Sequence, residues 1–301
     1  MRFEPMKAVL TDKPFSDPNW IYERKLDGIR LLTYAKGDDV RLESRIGRSR
    51  NSSFPELVEA LRHERADEFV VDGEVVAFEG SRTSFQKLQR GGGPVYYYVF
   101  DILLLEGEDV TGRPLRERKR LLRDALEFHG RVRFTTHRNG DGERYFDYAC
   151  KHGWEGLIAK RADSPYVQKR SRDWLKFKCS FEQELVIGGF SAPRGSRVEL
   201  GALLVGYYED GKLRYAGKVG TGFTQETLRD LGRRMRELER DDSPFDERVH
   251  PVPRGTRWVE PVLVGQFGFS EWTRDGRLRH PRFLGLRDDK PAREVVRERP
   301  S

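Results

Sequence analysis

Cysteine is nearly missing from this chain. Cys150 and Cys179 are the two among 301 residues, they stand far apart, and neither belongs to a C-x-x-C pair. That argues against a disulfide framework and a cysteine-based zinc site. It points instead to a reducing cytoplasm, with both thiols as small core residues. Long apolar runs are missing too. The opening Met1-Arg2-Phe3-Glu4-Pro5-Met6-Lys7 has no signal-peptide core. No segment approaches the roughly 20 apolar residues that cross a bilayer, so no membrane contact is expected. Repeats and low-complexity tracts are absent, which sets aside solenoids and disordered tails.

What remains is polar and basic. Charged residues make up 35% and hydrophobic ones 37%, enough for a globular chain with one large or two ordinary domains. Lys and Arg number 56 against 49 Asp and Glu, a net charge of +7. An excess carried mostly by arginine suits a polyanionic partner, nucleic acid above all, because guanidinium forks match phosphate oxygens. Composition alone does not separate this from a generally arginine-rich proteome.

Strand-like runs at Val40–Leu42, Phe69–Val76 and Tyr96–Leu105 alternate irregularly with helical patterns. Ser53-Phe54-Pro55-Glu56 reads as a capping box opening a helix to about His63. Further helices are expected over Arg116–Phe128 and Arg144–His152, the latter stopped by Gly153. Past Phe181 the texture changes. Short strands at Leu185–Phe190, Ala202–Tyr208, Leu213–Val219 and Trp258–Phe269 surround one helix, Thr224–Glu239, with Leu228, Leu231, Met235 and Leu238 on its buried stripe. The expected fold class is α+β, with twisted antiparallel sheets and flanking helices over residues 1–181. A small barrel of the OB type follows over residues 182–301.

Several stretches carry candidate chemistry. Glu23-Arg24-Lys25-Leu26-Asp27-Gly28-Ile29-Arg30 puts a lysine after a strand-like run and before Asp-Gly. Alone it reads as a hairpin with a surface lysine, the glycine accepting positive φ. Ser44-Arg45-Ile46-Gly47-Arg48 reads as a basic turn. Asp72-Gly73-Glu74 places carboxylates inside an apolar strand, which needs a metal, a hydroxyl or a cation unless one face is wet. Tyr97-Tyr98-Val99-Phe100-Asp101 offers either core aromatics or a stacking platform. Glu155-Gly156-Leu157-Ile158-Ala159-Lys160 precedes Lys176-Phe177-Lys178, whose two lysines share a strand face and repel unless an anion lies between them. A solvated strand edge is the plain alternative.

In this order the elements resemble the covalent nucleotidyltransferase superfamily of ATP-dependent DNA ligases, RNA ligases and mRNA capping enzymes. Arg279-His280-Pro281-Arg282-Phe283 and Arg287-Asp288-Asp289-Lys290 are similar to its last motif, with Gly285 where many members carry a basic residue. The resemblance spans residues 20–290. Ser84-Phe85-Gln86, Arg161–Tyr166 and Tyr215–Phe223 look most like the ligase module of prokaryotic end-joining systems, where polymerase and phosphoesterase modules are often fused.

The resemblance implies ATP as cofactor, AMP carried on Lys25, and Mg²⁺ or Mn²⁺. It makes Lys25, Asp27, Arg30, Lys176 and Lys178 catalytic. Phe100 stacks the adenine, the backbone at Glu23 reads its edge, and Glu74 meets the ribose hydroxyls. Glu74 and Glu155 are the metal ligands, and Lys160 joins the nucleotide set. Arg45 and Arg48 face the nucleic acid, with Arg45 also near the AMP, and Arg287 and Lys290 orient the departing pyrophosphate. A lysine titrates near 10.4, so Lys176, Lys178 and the metal are expected to depress the Lys25 pKa. Implied partners are nicked or broken duplex DNA, a Ku-type end-binding protein and an end-joining polymerase. The chain is expected to act as a nucleoid-associated cytoplasmic monomer lacking an N-terminal DNA-binding domain. An RNA ligase, a capping enzyme and a non-catalytic OB-fold nucleic-acid-binding protein are the rival readings.

Overall fold

A computed structural model describes residues 2–91, 93–193 and 199–299. The chain divides after Cys179 into two compact units, the second running over Ser180–Glu298. The first unit contains, in order, β1 (Lys7–Leu10), β2 (Trp20–Lys25), β3 (Ile29–Lys36), β4 (Asp39–Ser44), α1 (Pro55–Arg62), β5 (Glu68–Glu79), β6 (Arg82–Thr83), α2 (Phe85–Arg90), β7 (Val95–Leu105), β8 (Glu108–Asp109), α3 (Leu115–Ala125), β9 (Val132–Phe134), β10 (His137–Asn139), α4 (Gly142–Lys151), β11 (Gly156–Arg161) and β12 (Arg170–Lys178). One sheet has the order β1-β12-β11-β2-β10. The other has the order β4-β3-β5-β7-β8, with β6 on β5 and β9 on β7.

Helices α1, α2 and α3 contribute to the core of the second sheet, where Leu57, Leu61, Leu88 and Leu122 meet Leu31, Val71 and Val99. Helix α4 closes one face of the first sheet through Tyr145 and Ala149 against Tyr22, Leu157 and Phe177. A third cluster joins the two sheets, with Leu32, Tyr34 and Val70 of one against Trp174 of the other.

The Asp-Gly after Lys25 does not turn a hairpin, as the local signal suggested. β2 belongs to the first sheet and β3 to the second, so residues 26–28 carry the chain between sheets. Gly28 is required for close approach rather than for a left-handed turn, because a β-carbon there would stand 2.0 Å from the Val75 carbonyl oxygen. The Asp27 carboxylate accepts the Phe85 N–H at 3.1 Å, and its own N–H donates to Thr83 Oγ1 at 3.1 Å. The crossover is thereby pinned to the start of α2.

Three other local readings change. Helix α1 starts from Phe54 without a side-chain cap, because Pro55 already fixes the first helical φ. The expected strand over 258–269 splits at Glu260-Pro261, where proline has no N–H for a ladder. Cys150 and Cys179 are joined in a disulfide with Cα atoms 5.1 Å apart, contrary to the free thiols expected. Sequence separation hid the pairing. The end of α4 meets the end of β12 because the Cys179 N–H donates to the Glu155 carbonyl at 3.0 Å.

The second unit contains β13 (Phe181–Phe190), β14 (Leu203–Glu209), β15 (Lys212–Val219), α5 (Gln225–Arg236), β16 (Glu239–Arg240), β17 (Arg257–Val259), β18 (Val264–Phe269), β19 (Glu271–Trp272), β20 (Leu278–Arg279) and β21 (Arg282–Arg287). Strand β13 is its spine, pairing with β14, β17 and β18. The arrangement is a small OB-type barrel. α5 is capped reciprocally by Thr224 and Thr227 and buries Leu228, Leu231 and Met235.

The deepest ion pair of the first unit supports the second sheet. Arg118 on α3 and Asp101 on β7 are both fully buried and joined by two hydrogen bonds of 2.8 and 3.0 Å. Removing one partner of such a pair strands a buried charge. Arg118→Met should therefore lose about 3–5 kcal/mol of unfolding free energy in a urea titration. Adding Asp101→Asn should recover part of it; no recovery would mean that the loss lies in packing and in the bonds Arg118 donates to the Arg113 and Ser164 carbonyls, not in the stranded charge.

Candidate active site

One face of the first sheet collects the charged groups. Lys25 pairs with Gly156, and Gly156 with Lys178. Glu23 pairs with Ile158, which pairs with Lys176, and with His137 on its other side. Ile21 pairs with Lys160, and Lys160 with Trp174. Directly paired residues share a face, so Glu23, Lys25, His137, Lys160, Trp174, Lys176 and Lys178 lie together. Neighbouring strands run about 4.8 Å apart, which puts Lys25 and Lys178 about 10 Å apart at their Cα atoms. Only Gly156 lies between them. A β-carbon on Gly156 would meet the Phe177 carbonyl oxygen at 1.8 Å, so β11 and β12 tolerate no side chain there.

Lys25 retains 18% side-chain exposure and its Nζ contacts Glu155 Oε1. Burial on its own would lower the Lys25 pKa. The Glu155 carboxylate outweighs it, with smaller help from Asp27 and Glu74, and holds the ammonium above the ordinary lysine range. Without a metal this runs opposite to the depression expected from Lys176, Lys178 and the metal together: the dominant charged neighbour is an anion. The other oxygen, Glu155 Oε2, is buried and has no hydrogen-bond partner among the described residues.

Glu23, 2% exposed, sits between two buried lysines. Lys119 Nζ contacts its Oε1, and Lys160 Nζ lies 2.7 Å from its Oε2. Burial would raise the Glu23 pKa, but the two ammonium groups pull it below the usual carboxylate range. Strands flank Glu23 on both sides, so its backbone, expected to read the adenine edge, belongs to the sheet, and it is the side chain that faces the cleft. Lys160 Nζ also lies 4.3 Å from the Phe100 ring centroid and 4.0 Å from that of Trp174.

The second sheet supplies the opposing wall. Arg30, Glu74 and Tyr98 are cross-strand partners on one face. Asp72 pairs with Asp101 and Gly73 with Val99, so Phe100 is the extra residue of a β-bulge, a device that re-aims a side chain. The Phe100 ring lies 6.0 Å from that of Trp174, and the Arg30 guanidinium stands 5.3 Å from Phe100. Asp72, fully buried, accepts two bonds from Arg30, one of 2.9 Å, and one from Tyr166 OH at 2.7 Å.

Arg45 and Arg48 flank the turn leaving β4, where the Gly47 N–H donates to the Ser44 carbonyl at 2.7 Å with φ +74°. Arg287 and Lys290 belong to the second unit. Arg287 makes two hydrogen bonds of 2.8 and 2.9 Å to Asp289, and Lys290 pairs with Glu184. Gly285 lies on β21 opposite Gln266. The sequence reading missed Lys119, Trp174, Tyr166 and His137. A signal existed for the first: Leu115, Arg118, Lys119 and Leu122 share the buried stripe of α3, so a lysine there needs a buried anion.

Comparison with known proteins gives this geometry a family. The model of the ATP dependent DNA ligase domain matches residues 4–178, and that of the ATP dependent DNA ligase C terminal region matches residues 196–290. The chain belongs to the ATP-dependent DNA ligase family. The multifunctional non-homologous end joining protein LigD of Pseudomonas aeruginosa is 39% identical over 99% of this chain and 37% of its own length. LigD of Mycobacterium bovis is 41% identical over 93% of this chain and 37% of its own. The chain thus spans little more than a third of these relatives. A solved mycobacterial DNA ligase D complexed with ATP superimposes with a TM-score of 0.71, at 37% identity and 98% coverage of both chains.

In this ligase-family site the charge state of Lys25 is open to measurement. In metal-free buffer, acylation of Lys25 read by peptide mass spectrometry should have its midpoint above the ordinary value of about 10.4. Glu155→Gln leaves burial without its main opponent, so the midpoint should move to lower pH. An unmoved midpoint would show that Glu155 does not govern the amine.

Proposed function

We propose that the chain is an ATP-dependent DNA ligase that seals 3′-hydroxyl and 5′-phosphate ends in end joining. The observation that carries this is the face on which Lys25 and Lys178 stand across Gly156, with Glu155 on Lys25 and Lys176 beside them. An α-phosphate entering that gap meets a nucleophile on one side and cations on the other.

In the first step Lys25 Nζ attacks the α-phosphorus of ATP. An N–P bond forms, the bond to the bridging oxygen breaks, and pyrophosphate leaves. The amine must shed a proton, and Glu155 Oε1 is the base in contact with it. Lys176 and Lys178 stabilise the charge gathering on the non-bridging oxygens. Phe100 stacks the adenine, the Glu23 carboxylate reads its edge, and Glu74 takes the ribose. In the second step a DNA 5′-phosphate oxygen attacks the same phosphorus and Lys25 leaves, giving a DNA-adenylate. In the third the 3′-hydroxyl attacks the DNA phosphorus and AMP departs.

A divalent cation fits this donor set. Glu155 Oε2 is buried without a hydrogen-bond partner among the described residues, and Mg²⁺ ordinarily takes one or two carboxylates plus phosphate oxygens. Glu155 and Glu74 would hold it, and it would supply charge neutralisation at the phosphates. Arg45 and Arg48 contact the duplex through phosphates, so sealing should weaken steeply with salt. The resemblance to end-joining relatives supports a Ku-type end-binding protein and a polymerase as partners on chromosomal ends.

Incubation with α-labelled ATP and a divalent cation should leave label on the denatured protein, and Lys25→Ala should abolish it. Chasing onto nicked duplex should move the label to DNA. Label from GTP instead would support a capping-type enzyme. No label from either nucleotide, after pyrophosphate stripping and with Mn²⁺, would leave a binding protein.

A further inference from the structure

Lys119 lies outside every motif and yet touches three parts of the cleft. It is 3% exposed on α3. Its Nζ contacts Glu23 Oε1 on β2, donates to the Thr135 carbonyl between β9 and β10 at 3.1 Å, and donates to the Phe100 carbonyl at 3.4 Å. An ammonium has three donors, and all three are used. The Phe100 carbonyl belongs to the bulged residue of β7, which the sheet ladder does not itself hold in place.

We infer that Lys119 is a positioning residue for base selection. It fixes the distance between the Phe100 ring and the Glu23 carboxylate, and so sets the width of the slot in which the purine lies. This rests on the assignment of Phe100 and Glu23 to the adenine. Lys160 cannot replace Lys119. It binds the other Glu23 oxygen and faces the Phe100 and Trp174 rings, not the Phe100 carbonyl. Two neighbouring polar atoms, Thr135 Oγ1 and His137 Nδ1, are buried with no hydrogen-bond partner among the described residues. His137 is paired with Glu23 across the strands. Its pKa is pushed down to about 4, chiefly by burial and then by Lys119, so the ring is neutral at pH 7. The segment that Lys119 holds through Thr135 therefore presents uncharged hydrogen-bonding groups of the kind that a nucleobase edge satisfies.

The test is Lys119→Met, which keeps the volume and removes the three donors. KM for ATP in self-adenylylation should rise at least tenfold and preference for ATP over inosine triphosphate, which lacks the exocyclic amine, should fall by a similar factor. The rate at saturating ATP should stay within about threefold. Unchanged KM and unchanged discrimination would overturn the inference, whatever the loss in melting temperature. Should Lys119→Met not fold, Lys119→Gln keeps donors for the two carbonyls, drops the ion pair, and must show the same two changes to a smaller extent. Wild type that takes no label from ATP would defeat the ligase assignment itself. Wild type that labels but does not separate ATP from inosine triphosphate would defeat the base-selection role alone.

Discussion

Gly156 spaces Lys25 and Lys178 by strand pairing alone, and the remaining groups of the site depend on that spacing. Any β-carbon at 156 would collide with the Phe177 carbonyl and push β12 away from β11. The same ladder continues one residue outward, where the Cys179 N–H holds the Glu155 carbonyl. Glu155 is therefore delivered to Lys25 by backbone geometry and not by a flexible loop. The crossover after Lys25 is fixed as firmly, through Asp27 to Thr83 and Phe85. Lys25, Glu155 and Lys178 are thus set by three strands of one sheet, the preorganisation that the proposed phosphoryl transfer needs when little covalent work falls to the protein.

Most charged groups of the cleft stand in pairs. Arg118 with Asp101, and Arg30 with Asp72, are neutral pairs. Lys25 with Glu155 is a third. Glu23 faces two lysines, Asp27 and Glu74 add carboxylates near Lys25, and Lys176 and Lys178 lie on the same face of the sheet. A second cation beside one buried carboxylate is unfavourable, and burial accordingly pushes the Lys160 pKa down. The resting state of Lys25 follows from the same balance. The Glu155 carboxylate holds it in its charged form against the opposite pull of burial.

The elements legible in the sequence were those whose signal is local. Lys25, Glu74, Phe100, Glu155, Lys176 and Lys178 belong to short contiguous motifs whose order resembles the family, and the structure places all six in the same unit. The change of texture near Phe181 likewise reflects a local switch to short strands with glycine turns. What stayed hidden depends on distant partners. Lys119 meets Glu23 across 96 positions and Tyr166 meets Asp72 across 94. Cys150 reaches Cys179 only after a helix and two strands have been placed. Local signals could also mislead. Asp-Gly suggested a hairpin because turn chemistry is the same whether the next strand pairs with the last or joins another sheet.

The last motif poses a different constraint. Arg287 is chelated by Asp289, which is 1% exposed, and Lys290 is paired with Glu184. Both cations therefore face carboxylates of their own unit. A role in gripping pyrophosphate requires each to exchange a carboxylate for a phosphate. The planar fork of Arg287, nine-tenths covered, suits both anions. Asp289 would then be left buried without its fork, which disfavours the exchanged state once the pyrophosphate has gone.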